Sequence, residues 1–195
     1  MIQEKIIDFL QVIEPLKSTL RHNWTKSGRQ ESAAEHTWRI AILFIMAQEY
    51  FKFEVDVIKV IKMILVHDIP ELMEGDVPAF SKKKHGKVLK EILIAKEIFS
   101  KAPAPFDKEF FELFKEFEAG ETMEAKVAEA LEKIESQLQH VDSGSKYWHE
   151  KEKGQHMLNY PKKALKNLND QRIFDMWKIV KEKIEEINKK EGILS

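Results

Sequence analysis

A chain of 195 residues that is 43% hydrophobic and 33% charged is long enough to bury a real core and too apolar for a disordered polymer. Its 32 Lys and Arg residues nearly cancel its 33 Asp and Glu residues, which excludes an overall field drawing it to nucleic acid or to an anionic membrane surface. With no cysteine at all, a disulfide scaffold, a thiolate zinc site and a cysteine nucleophile are excluded as well.

Helical periodicity recurs along the chain, while Gly (7) and Pro (6) are sparse. The amino terminus, MIQEKIIDFLQVIEPLK, carries acids within its apolar stretch and does not read as a signal peptide. It reads as a first helix with Ile2, Ile6, Phe9, Leu10 and Ile13 spaced three and four apart. A second helix begins at a capping box, Ser32 with Glu35, and presents Ile40, Leu43, Phe44 and Ala47 on one face. A third runs from about Asp56 through Val57, Ile61, Ile64 and Leu65 to His67 and Asp68. Pro70 cannot continue that helix but suits the first turn of a new short one, which Gly75 closes.

Residues 81–87 read as a basic surface loop. Helices are expected over about 87–100 and 107–119, the latter with Asp107 as N-cap and Gly120 as its end. Thr122 caps the next helix, whose stripe is Val127, Leu131, Ile134, Leu138 and Val141, and Gly144 closes it. A last long helix over about 162–189 follows Pro161, with Ile173, Trp177, Val180, Ile184 and Ile187 on its apolar face. No linker or internal repeat interrupts this pattern, and no apolar run reaches the roughly 18 residues of a membrane span. The expectation is one all-α domain over residues 1–195, located in the cytoplasm.

One doublet stands out chemically. His67 and Asp68 end an otherwise apolar helix, so an imidazole and a carboxylate arrive together at the core boundary. Burying both without a partner is expensive, and a shared cation removes that cost. His36 lies in the first turn of its own helix, where the positive end of the helix dipole favours the neutral imidazole that a metal requires. Glu71 and Asp76 follow the doublet around the Pro70–Gly75 turn. Two imidazoles with several carboxylates suit one borderline or hard divalent ion, and this pattern does not distinguish Co, Mn, Fe, Ni, Zn or Mg.

The segments Glu-Ser-Ala-Ala-Glu-His-Thr-Trp-Arg (31–39) and Ile-Lys-Met-Ile-Leu-Val-His-Asp-Ile-Pro-Glu-Leu-Met-Glu-Gly-Asp-Val (61–77) together resemble the HD superfamily. They look most like its branch of 5′-deoxynucleotidases and HD-domain-containing-2 proteins. The likeness continues through Glu-Ala-Gly-Glu-Thr-Met-Glu-Ala-Lys (118–126) and the helix after it, so it covers about residues 15–140. The resemblance implies a helical HD bundle, a metal-activated water and removal of phosphate from (deoxy)nucleoside 5′-monophosphates. It also implies a homodimer, for which the aromatic segment Phe106, Phe110, Phe111, Phe114 and Phe117 offers either an interface or simple core packing.

Carried over residue by residue, the resemblance makes His36, His67 and Asp68 metal ligands and Glu71 the catalytic glutamate. Asp76 becomes a catalytic residue that also contacts substrate. Arg21 and Trp24 line the nucleotide pocket, and Arg29 offers the same charge as Arg21. The chain departs from the pattern at the fourth ligand. The family has an aspartate in Asp-Lys-Leu-Glu, and this chain reads Glu132-Lys133-Ile134-Glu135. Glu132 is the expected ligand there, with a carboxylate displaced by the extra methylene, and Asp142 is the weaker substitute. Two other readings stay open. One is an HD phosphohydrolase acting on a cyclic dinucleotide or a nucleoside triphosphate. The other is a catalytically silent nucleotide-binding scaffold, which the Glu132 exchange favours.

Overall fold

The computed structural model describes residues 1–75, 87–150, 153 and 155–193. In chain order it builds α1 (Ile2–Ile13), a hairpin of β1 (Leu20–Trp24) and β2 (Gln30–Ser32), α2 (Ala33–Ala47) and α3 (Val57–Val66). There follow α4 (Glu71–Glu74), α5 (Lys87–Phe99), α6 (Phe106–Ala119), α7 (Met123–Ser143), α8 (Gln155–Asn159), α9 (Lys162–Leu168) and α10 (Gln171–Lys190). The all-α expectation holds, with the two-stranded hairpin as the only sheet among the described residues.

The helix boundaries follow from their caps. Ser32 Oγ accepts from the Glu35 amide at 3.3 Å while the Ser32 amide donates to Glu35 at 3.0 Å, the expected capping box. Asp56 caps α3 and Thr122 caps α7, each accepting from the amide three residues on. Gly75 and Gly144 lie at the ends of α4 and α7.

Three expectations are corrected. Pro105, and not Asp107, is the residue before α6, so Asp107 lies inside the first turn. The single carboxy-terminal helix is two, because Asn169 turns left-handed (φ 54°) and Asp170 starts α10 as a fresh N-cap. The hairpin was not expected, and the reason is physical. Along β1 the buried positions are Arg21 and Asn23, so the strand alternates by burial but not by hydrophobicity, the property a sequence displays.

Helix α7 is central. It packs against α2, α3, α6, α9, α10 and β1, and is therefore buried on more than its apolar stripe. Val127, Leu131 and Ile134 enter the core, which also takes Ile40 and Phe44 of α2, Ile64 of α3, Phe114 of α6 and Trp177 of α10. Each such large apolar side chain contributes about 1.5–3 kcal/mol on burial. The other side of α7 is polar yet buried, presenting Glu132, Glu135, Ser136, Gln139 and His140. Closed in by α2, α3 and β1, it forms one wall of the site described next.

The aromatic segment is used within the chain. Phe114 is buried, and Phe110, Phe111 and Phe117 pack against the core, with Phe110 meeting Phe9 and Phe99 at 6.0 Å. Helix α1 buries Phe9 in the core and packs Val12 and Ile13 against it, leaving Ile2, Ile6 and Leu10 exposed. No helix among the described residues is long and apolar enough to cross a membrane.

Candidate metal centre

Three side chains converge where α2, α3 and α7 meet. His36, His67 and Asp68 each offer a ligand atom within 4.8 Å of the others, and all three residues are buried. His36 comes from the first turn of α2, while His67 is the C-cap residue of α3 with Asp68 just beyond it. His36 Nε2 lies 4.0 Å from Asp68 Oδ2 and 3.9 Å from Glu132 Oε1. Neither His36 Nε2 nor His67 Nε2 has a hydrogen-bond partner.

The remaining atoms of these residues are tied down. His67 Nδ1 donates to the Ile64 carbonyl at 2.7 Å, which leaves its Nε2 as the lone-pair nitrogen. His36 Nδ1 is hydrogen-bonded to Glu135 Oε2. Asp68 Oδ2 accepts from Arg21 Nη1 at 3.2 Å. Buried polar atoms without a partner are costly. Two such imidazole nitrogens beside a carboxylate, each ligand held from behind, fit a divalent cation in donor type and preparation.

The electrostatics agree with that fit. Burial drives the His36 imidazole well below its ordinary range, with Arg21 adding to the effect, so the ring is neutral. Burial pushes the Glu132 carboxyl up, but neighbouring positive charge, the Lys133 ammonium foremost, outweighs it and holds the group down at about 2. Lys133 Nζ sits 2.5 Å from Glu132 Oε2. It also hydrogen-bonds the Tyr160 side chain, with Nζ 5.1 Å from the ring centroid. Glu132 thus directs one oxygen toward His36 and the other toward Lys133. Behind the ligands, burial raises Glu31 to about 8 and Glu135 to about 7, with arginines opposing the rise in both.

The expected residues are distributed as follows. His36, His67, Asp68 and Glu132 come together, and Arg21 joins them from β1, only 5% exposed. Its Nη2 reaches Ser136 Oγ at 3.4 Å and its Nε lies 3.5 Å from Glu31. Glu71 starts α4, one turn past Asp68, its amide donating to the Asp68 carbonyl. Trp24, the last residue of β1, stacks on Tyr147 with centroids 4.7 Å apart. Gly28 in the hairpin turn has φ 86°, and a Cβ there would meet Tyr147 Oη at 2.6 Å, so both conformation and close approach require glycine.

Arg29 pairs instead with Glu35 on the surface, at 2.8 Å, and Asp142 pairs with Arg39 at 2.6 Å. Asp76 and residues 81–86 of the basic segment lie outside the described residues. Sequence reasoning missed Glu31, Arg39, Glu135 and Tyr160. Glu135 had a legible signal, a carboxylate three residues past Glu132 beside the buried stripe of α7, whereas Tyr160 had none.

A family model described as HD domain matches residues 13–171 of the chain. The chain is 30% identical over 137 residues to 5′-deoxynucleotidase HDDC2 of Homo sapiens, 69% of this chain and 66% of that one, so it spans about two thirds of the human relative's length. It is 30% identical over 141 residues to 5′-deoxynucleotidase HDDC2 of Dictyostelium discoideum, 68% of this chain and 74% of the relative. It is 27% identical over 157 residues to 5′-deoxynucleotidase hdd1 of Schizosaccharomyces pombe, 77% and 78% of the two chains. Among solved structures, the fold is similar to that of a predicted metal-dependent phosphohydrolase from Magnetospirillum magnetotacticum, with a TM-score of 0.82 at 25% identity over 95% of this chain and 94% of that one. An HD-domain phosphohydrolase from Listeria innocua shares the fold with a TM-score of 0.66 at 21% identity, over 94% and 93% of the chains.

Proposed function

The chain belongs to the HD domain family, and we propose that it is a metal-dependent 5′-nucleotidase releasing phosphate from (deoxy)nucleoside 5′-monophosphates. The observation that carries this reading is the convergence of His36, His67 and Asp68, with His67 Nε2 3.1 Å from Asp68 Oδ1 and neither Nε2 atom given a hydrogen-bond partner. The names of the human, Dictyostelium and fission-yeast relatives support the substrate class.

His36, His67 and Asp68 would hold one divalent ion, with Glu132 as the fourth ligand. Bound there, such an ion would supply Lewis acidity, lowering the pKa of a water and offsetting charge on the phosphoryl group. Glu71, one turn past Asp68, orients the attacking water and accepts its proton. On the family resemblance, Asp76 would contact the substrate near the ribose or the leaving oxygen. Arg21 braces Asp68 and adds positive charge on the phosphate side. Lys133 supplies a second cation, since its ammonium is already fixed between Glu132 and Tyr160. Trp24, partly exposed and backed by Tyr147, forms an apolar wall for the nucleoside.

We further propose that residues 1–195 form one domain, since one apolar cluster runs from Phe9 to Ile184, and that the protein acts in the cytoplasm as a homodimer. The exposed stripe Trp38, Ile42, Ile45 and Met46 along α2 supports self-association. Elemental analysis combined with a phosphate-release screen over nucleoside monophosphates, nucleoside triphosphates and cyclic dinucleotides tests the activity. Metal-dependent release from 5′-monophosphates is expected. Release confined to the other esters, or none with metal bound, overturns the reading.

A further inference from the structure

His36 has two ring nitrogens, and the use of one fixes the use of the other. Its Nε2 faces Asp68 and Glu132, while its Nδ1 is hydrogen-bonded to Glu135 Oε2 in a contact from which solvent is wholly excluded. A carboxylate only accepts hydrogen bonds. Where Glu135 is ionised, the ring nitrogen facing it therefore carries the proton, and the lone pair is left on Nε2.

Glu135 is itself held from the far side. Arg39 Nη1 lies 3.6 Å from Glu135 Oε1, and the same guanidinium donates to Gln139 at 2.5 Å and to Asp142 at 2.6 Å. His36 and Arg39 are three apart on α2, and Glu135, Gln139 and Asp142 fall at i, i+4 and i+7 on α7. Each set thus lies on one helix face, and the two faces meet. The row runs Asp142, Arg39, Glu135, His36, from partly exposed to fully buried.

We propose that Glu135 is a positioning residue of the metal centre: its carboxylate, steadied by Arg39, accepts the hydrogen bond of His36 Nδ1–H. In doing so it holds the ring in the tautomer and orientation that present the Nε2 lone pair to the ion. This rests on the reading of His36 as a metal ligand. The Glu135 side chain is wholly excluded from solvent behind the ring, so it acts through His36, and Arg39 acts through Glu135.

A merely structural role, fastening α2 to α7, would change stability but not the tautomer. The isosteric Glu135→Gln separates the two, because an amide both donates and accepts and no longer dictates which nitrogen is protonated. In the metal-free protein, imidazole 15N chemical shifts, with His36 assigned by comparison with His36→Gln, report the tautomer. Wild type is expected as Nδ1–H, and Glu135→Gln as a mixture or as Nε2–H.

Calorimetric titration with Co2+ as the probe is expected to show affinity roughly 10–100-fold weaker in Glu135→Gln, the usual cost of losing an outer partner of a metal ligand. Glu135→Ala should do the same, and the glutamine variant suffices if the alanine variant does not fold. An unchanged tautomer together with wild-type Co2+ affinity in Glu135→Gln overturns the proposal alone. A wild-type protein that binds no Co2+ overturns the metal reading, and the proposal with it.

Discussion

The Asp68 carboxylate and the Arg21 guanidinium, 47 positions apart in the chain, meet at 3.2 Å with both side chains nearly excluded from solvent. Arg21 also borders Glu31 and Ser136. Its first physical role is to set positive charge beside these buried acids, before any contact with substrate.

Replacing it should therefore cost stability as well as substrate affinity. Removing one partner of a buried ion pair strands the other, at about 3–5 kcal/mol. Urea unfolding of metal-free Arg21→Ala should show a loss of that order. A wild-type midpoint would mean that Arg21 lines the pocket and braces nothing.

His67→Ala or Asp68→Ala should abolish metal retention with little change in helical content, because both sit at or past the end of α3. Glu71→Ala, by contrast, should retain the ion and lose most turnover, since its role is toward water. Elemental analysis and initial rates on the best phosphomonoester distinguish the two classes. Full metal occupancy in the first pair would refute the ligand assignment, and wild-type kcat in the Glu71 variant would refute the base.

Glu132 divides its oxygens between His36, at 3.9 Å, and Lys133, at 2.5 Å. If it ligates, Glu132→Asp should keep or tighten metal binding, and Glu132→Ala should weaken it by at least roughly 10–100-fold. Three calorimetric titrations decide the matter. Equal dissociation constants would reduce Glu132 to a partner of Lys133 and shift weight toward the scaffold reading.

Glu35 gives the pH dependence a defined window. The Arg29 hydrogen bond, with those of Ser32, lowers its carboxyl from 4.5 to about 2 against the opposing effect of burial. A depressed acid stabilises the fold fully above its ordinary pKa, and that contribution fades as pH falls through the folded value. Glu35→Gln should lower the thermal midpoint at neutral pH, and its gap from wild type should close between about pH 4.5 and 2. A gap independent of pH would show that the capping box works without the charge.

Most helices were legible because their determinants are local. Ser32 with Glu35, Asp56 and Thr122 announce helix starts from within three or four residues, and the three- and four-residue spacing of apolar side chains is written in the chain itself. The same holds for the core of the site, since His67 and Asp68 are adjacent and His36 sits one turn from a visible cap. Only the tertiary structure decided what surrounds those ligands. Arg21 reaches Asp68 across 47 residues and Ser136 across 115, and Glu135 reaches His36 across 99. The hairpin that delivers Arg21 hides its strand character because its inward residues are polar, and α7 has a buried polar side that its periodicity paints as surface. A sequence displays hydrophobicity, whereas burial is decided by the elements that pack on top, and here these are α2, α3 and β1 closing over the polar side of α7.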